Sequence, residues 1–399
     1  MTPSTSLTTC RSSSSTTSSA FVGHSPPASS RPVAAWLLGT SGAVAVMVTV
    51  GGVTRLTKSG LSMTDWKLQG SLPPSNQEEW EAEFERYKSF PEYQQRKGMA
   101  LDEFKFIFWW EYCHRMLGRC LGVIYGVPLL YFAATRAIPR HVTGKVFALL
   151  GLGGAQGLVG WWMVKSGLDA KDPQGASTKE IRVSPYRLAT HLGMAFTTYC
   201  LLVHTGLEAF KGPAAASSSS QQLSKQLLKQ ASKLRGGCIA TGSLAFFTAM
   251  SGAFVAGNDA GHAYNLFPKM TQDTWLPPDI MSMTPRWRNF FEETATVQAD
   301  HRVLAMTTLT AVSAVYIGAR RAGSGALWRA LPLESQLALN TTMGIMATQV
   351  GLGISTLLLY VPIPLAAAHQ AGALALMGSS VWLASSLRWA RLAATKVVP

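Results

Sequence analysis

Four histidines stand at matching places in two stretches of this 399-residue chain. Glu111-Tyr-Cys-His114-Arg115-Met-Leu-Gly118 corresponds to Gln298-Ala-Asp-His301-Arg302-Val-Leu-Ala305, and Ala189-Thr-His191-Leu corresponds to Ala367-Ala-His369-Gln. Neutral imidazole is a standard axial ligand of haem iron, and one histidine from each of two helices can sandwich a planar macrocycle. A single histidine inside a membrane more often bonds a neighbouring helix. Recurrence of all four at repeat-related positions is what favours haem or metal ligation here. The remaining histidines do not join this pattern. His24, His141 and His262 read as surface residues, and His204 reads as structural, because the position 13 residues after His114 is Val127 and not a second histidine.

Where the repeat breaks, it breaks at an acid. Glu111 lies one helical turn before His114 on the same face, while its counterpart is the uncharged Gln298. A carboxylate at a membrane edge is costly and functional by default, so one half reads as catalytic and the other as a storage or relay site. A Glu111–Arg115 ion pair at i,i+4 spacing is the plainer reading and does not exclude the first. Arg115 and Arg302, each directly after a candidate ligand, suit contacts with haem propionates. Snorkelling towards the polar boundary would equally account for them.

These residues need elements to hold them, and the charge distribution identifies those elements. The formal charge is +14, yet only 14% of residues are charged, against roughly 25% in soluble domains. That excludes a dense nucleic-acid-binding surface. Instead, runs free of Asp, Glu, Lys and Arg recur at membrane-spanning length: residues 32–54, 146–164, 188–207 and 236–258. Two further apolar stretches, 106–135 and 296–319, carry charge only near their starts. The last run, 335–387, is too long for one helix and is divided by Pro362 and Pro364. The expectation is an all-α integral membrane protein with eight transmembrane helices, both termini on one side. The segments on that side hold sixteen Lys and Arg and no acid, whereas the opposite segments hold sixteen against seventeen acids, which places the termini inside.

Eight spans divide into two sets of four. Besides the histidines, the third spans share Gln-x3-Gly (Gln156 to Gly160, Gln349 to Gly353), and the first spans end in Gly51-Gly52-Val-Thr and Ser251-Gly252-Ala-Phe. Four spans preserve direction, so the halves are expected to be parallel repeats, two four-helix bundles about an axis along the membrane normal. The expected divisions are a leader at 1–32, an N-terminal half at 33–210, an inside linker at 211–235, a C-terminal half at 236–390 and a tail at 391–399. The leader is rich in Ser and Thr with no acid in its first 30 residues, the composition of an organelle transit peptide. The five cysteines lie in the leader or the spans and imply no disulfide framework. Residues 78–105, with Trp80, Tyr87 and Phe90, suggest amphipathic helices over the outer face.

At Glu111-x-x-His114-Arg115, Gly51-Gly52-Val-Thr-Arg55-Leu-Thr-x-Ser-Gly60-Leu-Ser, Asp65-Trp66-Lys67 with Gly70-x-Leu-Pro-Pro74, and Ser184-Pro-Tyr-Arg187-Leu-Ala-Thr-His191-Leu, the chain resembles the haem A synthases of the mitochondrial type. The resemblance covers about residues 33 to 390. It implies oxidation of a ring methyl of haem O to a formyl group, by successive hydroxylation and loss of water. It further implies substrate haem at His114 and His191 with Glu111 as the catalytic acid, and a cofactor haem b at His301 and His369. Haem O would come from an upstream farnesylating enzyme and electrons from a donor such as a ferredoxin. The implied location is the mitochondrial inner membrane, with both termini in the matrix and the haem sites towards the intermembrane space; assembly as a homo-oligomer is left open. The cysteine pair that some bacterial members carry in the first outer loop has no counterpart in residues 54–106, so no role of that pair transfers. Two other classes remain. One is a bis-histidine electron carrier, which would want haems on opposite sides of the bilayer, and the other is a non-enzymatic haem transporter or assembly scaffold.

Overall fold

The computed structural model describes residues 29–168, 181–212 and 224–390, apart from positions 64, 66, 68 and 95. The expected leader with His24, the Ser-rich part of the linker and the tail from 391 lie outside the described residues.

Eight helices of 24 residues or more occur among the described residues, and no strand. They are α1 (Arg31–Leu56), α2 (Leu101–Ala134), α3 (Arg140–Leu168), α4 (Pro185–Lys211), α5 (Lys225–Gly257), α6 (Thr294–Arg321), α7 (Leu333–Leu358) and α8 (Ile363–Ser386). Their starts are chemically marked. Ser30 accepts from the Val33 N–H, Ser224 from the Leu227 N–H, and the Glu293 carboxylate from the N–H groups of Ala295 and Thr296. Proline occupies the first turn of α1, α4 and α8, where an N–H has no helical partner to lose.

Six of the eight, α1, α2, α3, α5, α6 and α7, are long and apolar enough to cross a membrane. The two that fall short, α4 and α8, are the centrally packed ones. α4 lies against α1, α3, α5 and α8, and α8 against α1, α4, α5 and α7. A helix wrapped by other helices can carry histidine, glutamine and serine without presenting them to lipid. Other helices turn apolar side chains outward. Val123, Val127 and Leu130 of α2, Leu158 and Trp162 of α3 and Phe247 of α5 are exposed, a surface suited to hydrocarbon. Within the first four helices α1 packs on α2 and α4, and α3 on α4, with a lighter α2–α3 contact. The same pairings recur as α5 on α6 and α8, α7 on α8, and α6 on α7.

Three differences from the sequence expectations have simple causes. The linker expected over 211–235 is shortened by α5, whose first turns bury Leu228, Ala231 and Leu234 against Ala319, Leu327 and Leu331. Lys225, Lys229 and Lys233 interrupt the apolar run but sit on the exposed face of this helix, so they do not interrupt the helix itself. The amphipathic segment expected over 78–105 is a helix at Gln77–Lys88 and a short one at Pro91–Gln94, with residues from Leu101 already in α2. Trp80, Phe84 and Tyr87 bury against Phe104, Ile107 and Phe108 of α2, pinning this outer helix to the bundle. Tyr87 also donates to Glu92, and its burial raises the phenol's pKa. Finally, His141 is half-buried in the first turn of α3, with Nε2 3.2 Å from the Glu208 carbonyl oxygen, rather than free at the surface.

Candidate functional site

Each of the four histidines sits on its own helix against a glycine of the neighbouring one. A Cβ at Gly51 of α1 would come within 2.6 Å of His114 on α2, one at Gly160 of α3 within 2.9 Å of His191 on α4, one at Gly252 of α5 within 3.1 Å of His301 on α6, and one at Gly353 of α7 within 2.8 Å of His369 on α8. A side chain at Gly51, Gly160 or Gly353 would push the imidazole out of place, and one at Gly252 would require it to give by a few tenths of an ångström, so the close approach favours glycine. The contacts also set the repeat register: Gly51 corresponds to Gly252, one residue away from the side-by-side writing of the two span exits.

The fourth-span histidines are held alike. Gln156 Nε2 donates to the His191 carbonyl at 2.9 Å, and Gln349 Nε2 to the His369 carbonyl at 2.8 Å. In α6 and α8 the rings of His301 and His369 lie with centroids 6.5 Å apart and planes at 90°. Two imidazoles bound to opposite faces of one metal, with bonds of about 2 Å, have centroids roughly 6 Å apart. His301 Nδ1 is 2.8 Å from Ser251 Oγ, a contact that fixes the ring's orientation and leaves Nε2 for a ligand. His369 Nδ1, and His114 Nδ1 in the first half, are buried without a hydrogen-bond partner, so neither ring is oriented through Nδ1 as that of His301 is. These donor sets fit an axially ligated haem.

Glu111 is 2% exposed and fully engaged. Its Oε2 accepts from Ser62 Oγ and the Met63 N–H, both at 2.7 Å, and its Oε1 from Arg115 at 2.6 Å. Every partner is a donor, the arrangement a carboxylate requires. Arg115 in turn donates to the carbonyls of Met63 and Asp65, so the ion pair clamps the loop after α1 over the start of α2. The second half keeps the frame and inverts the polarity. Arg302 donates to Gln298 Oε1 and to the carbonyls of Tyr264 and Lys269. The Gln298 amide donates to the Ala260 and Ala263 carbonyls, where Glu111 accepts. Both arginines are therefore committed to their loops. His204 lies 3.4 Å from Glu208 at the inner end of α4, apart from the four, and His262 is exposed.

Residues 34–381 match the profile of the family described as cytochrome oxidase assembly protein. The chain belongs to that family. Among curated members it is 48% identical over 364 residues to heme A synthase COX15 of Homo sapiens, covering 90% of this chain and 84% of that one. It is 47% identical to heme A synthase COX15 of Arabidopsis thaliana, over 91% of this chain and 76% of that one. It is 42% identical to heme A synthase of Parvibaculum lavamentivorans, over 88% and 92%. In this member of the cytochrome oxidase assembly family, the sequence marked the four backing glycines, Ser251, Gln156 and Gln349 as repeat features but gave none of them a role. The signal for the glycines and glutamines was present in the repeated Gln-x3-Gly. Ser62 closes the motif that begins at Gly51, but its role appears only when its loop folds back onto Glu111.

Proposed function

We propose that this protein is a haem A synthase, an oxidoreductase that converts a ring methyl of haem O into the formyl group of haem A for cytochrome c oxidase. The observation that carries the activity is identity of 42–48% along about nine-tenths of the chain to proteins named heme A synthase, from bacteria to human. Eight transmembrane helices are assigned as two parallel four-helix halves, supported by the recurring helix pairings and by the four matched glycine–histidine contacts. Mitochondrial relatives and the acid-free leader support an inner-membrane location, with both termini in the matrix and the histidines near the outer face.

The substrate haem is assigned to His114 and His191, because Glu111 stands one turn from His114 and only this half has the acid. Withdrawing electrons from a ring methyl builds positive charge on its carbon, which a nearby carboxylate stabilises or deprotonates. Ser62, the Met63 N–H and Arg115 fix that carboxylate in direction, and the loop they hold shields it from water. A haem b is assigned to His301 and His369, and when bound it would supply one-electron relay. Ser251 orients the His301 ring, and Gln349 holds the His369 backbone. Arg115 and Arg302 follow directly on a histidine of each pair, and since both already donate to their loops a propionate would have to share the guanidinium with those carbonyls. Each hydroxylation takes dioxygen as oxidant, one oxygen atom entering the C–H bond and the other leaving as water with two protons and two electrons from a soluble one-electron donor such as a ferredoxin. The doubly hydroxylated carbon then loses water to give the formyl group.

The test is purification from cells that make haem O, followed by haem extraction and chromatography. Haems O and A together are expected. Haem B alone would indicate an electron carrier, and no haem a scaffold; either overturns the assignment.

A further inference from the structure

The two halves differ in a second place. On α2, Gly118, Gly122 and Gly126 follow His114 at one-turn intervals, and on α3, Gly157 and Gly153 continue inward from Gly160, the residue behind His191. A Cβ at Gly122, Gly126, Gly153 or Gly157 would meet no other part of the protein within 4 Å. Glycine in membrane helices usually marks close backbone approach, and it costs helix stability relative to alanine. Close packing therefore does not explain these four. The same faces of α2 and α3 do meet further in, where Tyr125 Oη donates to the Val146 carbonyl at 2.7 Å and Leu129 packs with Val142 and Leu149.

Carried into the second half by the histidine and Gln-x3-Gly registers, the four positions become Leu309, Ser313, Met346 and Val350. Met346 is 2% exposed, Leu309 and Val350 pack in the same apolar cluster, and Ser313 Oγ lies 3.9 Å from Met343 Sδ. Side chains pack between α6 and α7 at positions that face open space on α2 and α3. The groove these positions form runs from below His114, whose ring packs against Gly51 of α1, to the Tyr125–Val146 contact. Twelve residues of helix from His114 to Gly126 span about 18 Å, comparable to an extended chain of three isoprene units.

We propose that this glycine-lined groove holds the isoprenoid tail of haem O, and that its filled counterpart admits only a haem without one. The proposal rests on the synthase reading and supplies what that reading lacks, a reason why each half takes its own haem. An apolar groove open to lipid along its length lets a flexible chain enter sideways while the macrocycle docks between the histidines.

The test exchanges residues between halves in the full-length protein, Gly153→Met with Gly157→Val, with Gly153→Ala as a milder step. Reconstituted in lipid, the double variant should bind haem O at least tenfold more weakly, while its affinity for haem B at the first site and the absorbance of the second-half haem stay unchanged. Unaltered haem O affinity overturns the groove assignment while leaving the synthase reading intact. Equal loss of haem O and haem B overturns it as well, since the substitution would then have distorted the histidine pair. A changed oligomeric state with unchanged haem O affinity would make the groove a subunit interface and also overturn it. Absence of haem A from the unmodified protein would instead defeat the synthase reading.

Discussion

Glu111 and Gln298 differ by one atom type, and their surroundings are built for that difference. Around Glu111 stand three donors, from Ser62, Met63 and Arg115; around Gln298 stand two backbone acceptors and one arginine. Glu111→Gln therefore points an amide NH2 at another donor whichever way it is turned, at a cost of about 1–3 kcal/mol. The expected outcome is loss of haem A formation by roughly a hundredfold or more with bound haem retained, read by extraction and absorbance; normal haem A output would remove Glu111 from the chemistry. At the second site, His301→Ala or His369→Ala should abolish the low-spin b-type spectrum, and an unchanged spectrum would refute ligation. Ser251→Ala is subtler. It frees His301 Nδ1 from its 2.8 Å partner, so haem should dissociate about 10–100-fold more readily, measurable by transfer to an apo acceptor, with the bis-histidine spectrum itself preserved.

At the scale of elements, the contact between a glycine on one helix and a histidine on the next is the repeated unit. Gly160→Ala drives a methyl to 2.9 Å from His191, and Gly353→Ala to 2.8 Å from His369. Each should weaken haem retention in its own half alone, as two spectroscopically separable losses; a loss shared by both halves would show that the contacts serve general packing instead. Much of this level was legible in advance. Histidine spacing, the proline break at 362 and 364, and the Glu111–Gln298 exchange are local patterns, and each lies where expected. What escaped depended on chain folding back through space. The Ser62 hydroxyl reaches Glu111 across 49 positions of sequence, and Arg55 reaches Asp259 across 204. Helix starts at Leu101 and Lys225 escaped for another reason: charges on an exposed helical face look, in one dimension, like an interruption.

For the whole molecule, the +14 charge fits the proposed sidedness, and Glu208 and Glu334, at the helix ends assigned to the inner side, are both engaged. Glu208 pairs with Lys145, and Glu334 pairs with Lys211, tying α7 to α4. The outer face has its own tie between halves. Asp259, beyond the end of α5, receives Arg55 from α1 at one oxygen and Arg182, just before α4, at the other, each at 2.8 Å. Since α1, α4, α5 and α8 form the shared interior, these clasps hold the two histidine pairs in fixed relation, and under the proposed function electron passage between them would depend on that distance. Asp259 is 28% exposed and the arginines under 20%, so solvent screens the pairs only in part and their combined contribution is about 1–2 kcal/mol. Asp259→Ala should lower the unfolding temperature of the solubilised protein, and Arg182→Ala should add less on that background than in the unmodified chain, with a coupling of at least about 0.5 kcal/mol. Strict additivity would mean the contact does not bind the halves. If it does, the single Asp259→Ala variant should keep both haems yet turn over more slowly, because the rate of relay falls while the two sites remain individually whole.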